Sequence, residues 1–215
     1  MPNASPRSFD RRIFLTGAAV ALARRAFAAP KPPVITILGD SITAGYGLAA
    51  ADALPAQLQA ALARLGVRAQ VRGAGVSGDT TAGGLARLDF SVQSDTALCV
   101  VALGGNDLLQ GLEPRDMRAN LDGLVRRLKA RRIKVVLCGL RAPARLNAHF
   151  ARDFNAAFPA VAKAAGVALY PDLLAGVELN GSLNQRDGIH PNPQGVKIIA
   201  ARLAPVVARA LHSRP

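Results

Sequence analysis

The chain has 215 residues, enough for one well-cored domain and short for two. Half of it is hydrophobic and 19% is charged, which excludes an intrinsically disordered chain. The net charge is +13, but the basic residues are dispersed, aromatics make up 4% and Trp is absent, which excludes a dedicated nucleic-acid binder.

Residues 1–28 resemble a twin-arginine export signal. Arg11-Arg12 precede Ile13-Phe14-Leu15, an apolar run continues to Ala23, and Arg24-Arg25 lead into Ala26-Phe27-Ala28, a small-x-small cleavage pattern. The run is about eleven residues long, too short for a bilayer core that needs ~20. No integral membrane span is expected after signal removal, and the mature chain should be periplasmic or secreted. Residues 29–33, with Pro30, Pro32 and Pro33, read as a stiff lead-in to a domain over 34–215.

From there strands and helices alternate. Val34 to Leu38 is a β-branched run ended by Gly39. Leu54, Leu58, Ala61, Leu62 and Leu65 predict a helix over 54–65 that stops at Gly66. A strand is expected at 67–71, then a Gly-rich loop through Gly84. Residues 98–103 form an apolar strand, and Pro114 opens a helix to 130. A strand over 133–140, a helix over 149–165, a strand over 167–170 and a helix from Pro193 to about Leu211 complete the chain. Cys99 and Cys138 sit in the apolar strands as small hydrophobes. Whether they pair stays open, although folding in a reducing cytosol before export argues against it.

Strands that are apolar throughout, alternating with helices, indicate a three-layer α/β/α sandwich with a parallel sheet of about five strands. Ligands bind such sheets beyond the carboxyl ends of the strands, where the strand order switches. Chemistry-bearing residues cluster in four loops, three after apolar runs and one before the last helix. They are Gly39-Asp40-Ser41, Ser77-Gly78-Asp79-Thr80, Gly104-Gly105-Asn106-Asp107 and Asp187-Gly188-Ile189-His190-Pro191.

In this order the four blocks resemble the SGNH hydrolase superfamily, also called GDSL esterases and lipases. Within it the match is to the branch of arylesterases and lysophospholipase/thioesterase enzymes, which Arg141-Ala142-Pro143 also resembles. The resemblance spans about residues 34–211 and implies a flavodoxin-like fold, with Ser41, Gly78, Asn106 and His190 at the four family positions. One departure is Gly73, which stands where that branch usually has Asn.

The residue chemistry agrees with this likeness. Ser41 can attack an acyl carbon, His190 can take and return the proton, and Asp187 can hold the imidazole tautomer. The Ser41 N–H, the Gly78 N–H and the Asn106 amide are the donor types an oxyanion needs. Asp40, Asp79 and Asp107 read as loop-bracing residues that accept hydrogen bonds, the first two from backbone N–H groups. His149 and His212 lie outside any such turn. The Gly-x-Ser-x-Gly elbow of α/β-hydrolases is missing around Ser41. No metal-ligand spacing or cofactor fingerprint occurs, so neither a metal nor a cofactor is expected.

The expectation is an exported serine esterase acting through an acyl-enzyme intermediate on small-molecule or lipid acyl esters, including aryl esters, short acyl esters, lysophospholipids or acyl-thioesters. A carbohydrate O-deacetylase and a non-catalytic lipid- or glycan-binding protein stay open as alternatives on the same scaffold. The oligomeric state is not legible.

Overall fold

The computed structural model describes Met1, residues 31–143 and residues 146–213; apart from Met1, the export signal expected at 1–28 lies outside the described residues. Contacts divide the chain into Met1–Lys31 and Pro32–Pro215, and the second unit is considered below. Among the described residues, five strands form one sheet: β1 (Val34–Gly39), β2 (Gln70–Gly75), β3 (Thr96–Ala102), β4 (Lys134–Cys138) and β5 (Ala168–Tyr170). Every neighbouring pair is parallel, in the order β2-β1-β3-β4-β5.

Helices occupy the connections: α1 (Ser41–Ala44), α2 (Leu54–Arg64), α3 (Thr81–Ala86), α4 (Leu88–Ser91), α5 (Gly105–Leu109), α6 (Pro114–Ala130), α7 (Ala148–Ala165) and α8 (Pro193–His212). Helix α2 packs on α8, and α6 packs on α3 and α7. Strand β1 is buried at every position, as a strand covered on both faces must be. The longer helices present one apolar stripe each: Met117, Leu121, Leu124 and Leu128 in α6, and Phe154, Phe158 and Val161 in α7. Phe154 and Phe158 meet edge to face, with ring centroids 5.6 Å apart.

The helices that lead into β2, β4 and β5 end in the same hydrogen-bonded hook. Gly66, Arg132 and Gly166 take positive φ, and the next residue's N–H (Val67, Ile133, Val167) returns 3.0 Å to a carbonyl of the last turn (Leu62, Leu128, Ala162). This corrects the expected strand boundaries. The β-branched residues at 67, 133 and 167 close helices, and the strands begin after them. The largest shift is at β2, expected at 67–71 and found at Gln70–Gly75. β2 is an edge strand with β1 as its one partner, so its sequence need not be apolar. The loop expected through Gly84 also contains the start of α3, whose Thr80 cap accepts from the Gly83 N–H at 3.3 Å.

At the end of β1 the chain leaves the sheet through a crowded corner. A Cβ on Gly39 would press on the Thr43 side chain and lie 2.9 Å from the Ala102 carbonyl oxygen. Gly39→Ala should therefore cost about 1–3 kcal/mol of stability, the usual range for overpacking. A urea denaturation curve with an unchanged midpoint would contradict this crowding.

Candidate active site

Strand order runs outward from β1 to β2 on one side and to β3 on the other, which opens a crevice at their carboxyl ends. Ser41 enters it directly, as the first residue of α1. Asp40 caps this helix, its Oδ1 accepting the Ile42 N–H at 3.0 Å. Its side chain is buried beside Gly105. Burial pushes its carboxyl up to about 6, and Asp79 adds to the rise, while the Ile42 N–H and His190 oppose it.

The loop between β5 and α8 brings the other two expected residues to Ser41. His190 Nε2 lies 2.9 Å from Ser41 Oγ, and its Nδ1 lies 2.6 Å from Asp187 Oδ2. Asp187 Oδ1 accepts the N–H groups of His190 at 3.0 Å and Ile189 at 2.9 Å. The His190 backbone N–H, then its ring, then the Ile189 N–H hold the Asp187 carboxyl down to about 2. An ionised Asp187 favours a proton on Nδ1 and leaves Nε2 free to accept from the serine hydroxyl. The three-residue spacing works because one turn carries both side chains.

Gly78 and Asn106 line the same crevice as Ser41. Gly78 has φ of 82°, in the left-handed region that glycine adopts without strain. Asn106 donates one amide hydrogen to the Asp79 carbonyl at 2.8 Å, which anchors the side chain and leaves its second hydrogen for another acceptor. Asp107 is buried and accepts from the Thr81 N–H at 2.9 Å and the Thr81 hydroxyl at 2.5 Å, tying α5 to α3. Asp79 differs from expectation. Its carboxylate pairs with Arg87 Nε at 2.7 Å rather than with a backbone N–H.

Arg87 and Gln185 were not singled out from the sequence. Arg87 donates through Nη2 to the Gly39 carbonyl at 2.9 Å and through Nη1 to the Ala74 carbonyl at 3.0 Å, besides holding Asp79. Gln185 donates to the carbonyls of Tyr46 at 2.8 Å and Pro191 at 3.1 Å, joining the histidine loop to the serine loop. The Tyr46 ring lies over His190, with centroids 4.6 Å apart. The signal for Arg87 and Gln185 is faint, because each acts through carbonyls far away in sequence. Asn192, next to the His190 block, caps α8 by accepting the N–H groups of Gln194 and Gly195 at 3.0 Å each.

Beyond Ser41 a cavity of about 320 Å³ is walled largely by Leu108, Leu109, Leu140, Leu173 and Leu174. Both cysteines are free and buried, and burial pushes the Cys99 thiol up to about 12. Among the described residues no helix is long and apolar enough to cross a membrane.

Comparison with known proteins matches residues 37–198 to the GDSL-like Lipase/Acylhydrolase family. The chain belongs to that family. It is 39% identical over 158 residues to "Esterase TesA" of Pseudomonas aeruginosa, covering 73% of this chain and 79% of that protein. It is 35% identical over 179 residues to "Thioesterase 1/protease 1/lysophospholipase L1" of Escherichia coli strain K12, covering 83% and 85% respectively. The crystal structure of AlinE4, an SGNH-hydrolase family esterase, superimposes with a TM-score of 0.71 at 40% identity, covering 86% of this chain and 100% of that one. The chain is a carboxylic ester hydrolase of the SGNH type. In this hydrolase Gly73 packs toward Pro55, whose Cγ would lie 2.8 Å from an added Cβ. Arg87 and Gln185 link its site loops without a side chain at 73.

The raised Asp40 carboxyl has a consequence for stability. The fold favours protonated Asp40, so this contribution is full below about pH 3.8 and is lost as pH rises through about 6. The ionised side chain then costs on the order of 3 kcal/mol at neutral pH. Asp40→Asn keeps an acceptor for Ile42 and cannot ionise. Its Tm relative to the parent should rise between about pH 4 and about pH 7.5. A variant that loses ground over that interval would contradict the assignment.

Proposed function

We propose that this hydrolase is an exported serine esterase that cleaves acyl esters through a Ser41-His190-Asp187 triad and an acyl-enzyme intermediate. The carrying observation is the continuous hydrogen-bonded line from Asp187 Oδ2 through His190 to Ser41 Oγ, at the edge of an apolar cavity.

Ser41 Oγ attacks the acyl carbon as its proton passes to His190 Nε2. The carbonyl oxygen becomes an oxyanion, with the Ser41 N–H, the Gly78 N–H and the Asn106 amide as its donors. Collapse breaks the ester C–O bond, and the leaving alcohol takes the proton from His190. A water molecule then repeats the sequence on the acyl-enzyme and restores Ser41. Asp187 keeps the imidazole oriented and offsets its positive charge while the proton is held.

The leucine-walled cavity supports a hydrocarbon acyl chain. That favours aryl and alkyl esters, and by likeness to the relatives' names thioesters and lysophospholipids, over an acetylated sugar, whose hydroxyls would require polar walls.

Ser41→Ala should retain the fold and lower kcat for aryl-ester hydrolysis by about 10³-fold or more. Asn106→Ala should lower it by about 10²–10³-fold, the cost of one oxyanion donor. Labelling by a fluorophosphonate should disappear in Ser41→Ala alone. Turnover by that variant close to the parent's would refute the nucleophile.

The export reading rests on Arg11-Arg12 and the Ala26-Phe27-Ala28 pattern. N-terminal sequencing of the protein recovered from its own host should begin at Ala29, and Arg11-Arg12→Lys-Lys should leave uncut chain in the cytoplasm. Uncut parent chain in that compartment would overturn it.

A further inference from the structure

The leucine-walled cavity extends from the loops after β1 and β3 to those after β4 and β5, where Leu140, Arg141, Leu173, Leu174 and Glu178 line it. A second cavity of about 660 Å³ adjoins it on that side, lined in part by Ala142, Pro143, Ala148, Ala151 and Leu179. Among the described residues, Arg141 and Glu178 alone line both. Two solvent-exposed side chains of opposite charge therefore border both of these mainly apolar spaces.

We infer that Arg141 and Glu178 form a charged partition that sets the longest acyl chain the enzyme accepts, with the second cavity as the unused extension of the first. The inference rests on the reading that the first cavity holds the acyl chain.

Each methylene placed among the leucines leaves water for an apolar wall and gains binding. A methylene pushed between a carboxylate and a guanidinium must strip water from both charges and offers no hydrogen bond in return. Chain length therefore helps until the chain meets the partition and opposes binding there. The Arg141 side chain is mostly exposed and faces Asp172 by charge alone, beyond hydrogen-bond reach. Arg141 Nε lies 3.9 Å from Asp172 Oδ2, while Asp172 Oδ1 accepts the Leu174 N–H at 3.1 Å. Glu178 is fixed through its backbone, its N–H donating to the Leu174 carbonyl at 3.0 Å. Partial burial raises the Glu178 carboxyl above its ordinary range, Asp172 adds to the rise and Arg141 opposes it, while the residue as a whole stays exposed to water.

The test is the kcat/KM profile of the full chain and its variants on p-nitrophenyl esters from acetate to palmitate. A second series keeps the acyl group as acetyl and lengthens the alcohol. The parent profile should rise with acyl length and then fall. Glu178→Leu should move the maximum to longer acyl chains and raise the long-to-short ratio by about tenfold or more. Glu178→Gln should give a smaller shift in the same direction, because it removes the charge and keeps a polar group. Arg141→Leu, altering the other half of the partition, should also favour long chains. Unchanged acyl profiles in Glu178→Leu and Arg141→Leu, with the parent still an active esterase, would overturn the partition alone. A shift confined to the alcohol series would overturn it too, by assigning the cavity to the leaving group. A parent inactive on every ester would instead defeat the functional reading on which it rests.

Discussion

Arg87 sits between the ends of two parallel strands and the turn that carries Gly78. Strands that leave a sheet in different directions splay their last carbonyls, and those groups need donors if the corner is to stay closed. One guanidinium meets the need: Gly39 of β1, Ala74 of β2, the Asp79 carboxylate and the Ser91 hydroxyl, all within 3.0 Å. A planar fork with five donors suits this task, whereas a lysine would bring a single point charge. Most of the Arg87 side chain is shielded from solvent, so its removal would leave a carboxylate and carbonyls without partners in a poorly hydrated place. The serine corner and the Gly78 turn are thus held by one side chain whose hydrogen bonds go to neither Ser41 nor Gly78.

The histidine side of the site is built on a different principle. It hangs from a loop between a three-residue strand and the last helix, closed on itself by a short antiparallel bridge in which the Gln185 N–H donates to the His190 carbonyl at 2.7 Å and the Asn192 N–H to the Leu183 carbonyl at 2.9 Å. Side-chain amides add to this bridge. Asn184 donates to the carbonyls of Val177 and Asn180, Asn192 to that of Ser182, and Gln185 reaches across to Tyr46. Neutral amides brace this loop without adding a further charge near the His190 ring.

The central strands, the long helices and the four short blocks were legible because each carries its information locally. Val34 to Leu38 is apolar because both faces are covered, and Pro114, Pro193 and Gly66 mark helix ends by their own backbone preferences. Ser41, Asp187 and His190 stood out because the four blocks occur together in the order that resembles the SGNH hydrolases; Gly-Asp-Ser alone, built from ordinary turn residues, would not have marked them. What stayed hidden depends on distant partners. Gln70–Gly75 becomes a strand because β1 offers it an edge, and nothing in Gln-Val-Arg-Gly-Ala-Gly announces that. Val67, Ile133 and Val167 resemble strand starters, yet their backbones belong to the helices before them. The pairing of Asp79 with Arg87 spans a helix the Gly-rich composition concealed, and the Gln185 amide finds its acceptor 139 residues away.

The two thiols give the molecule a built-in report on its own integrity. Cys99 and Cys138 lie on neighbouring central strands, fully enclosed, and burial keeps both protonated far above neutral pH. Alkylating reagents attack the thiolate, so the folded chain is inert to them. Reaching either sulfur requires the helical layers to lift from β3 and β4, an opening close in scale to loss of the whole core rather than fraying of a loop. With excess reagent, the pace of alkylation then follows the pace at which the entire sheet comes apart.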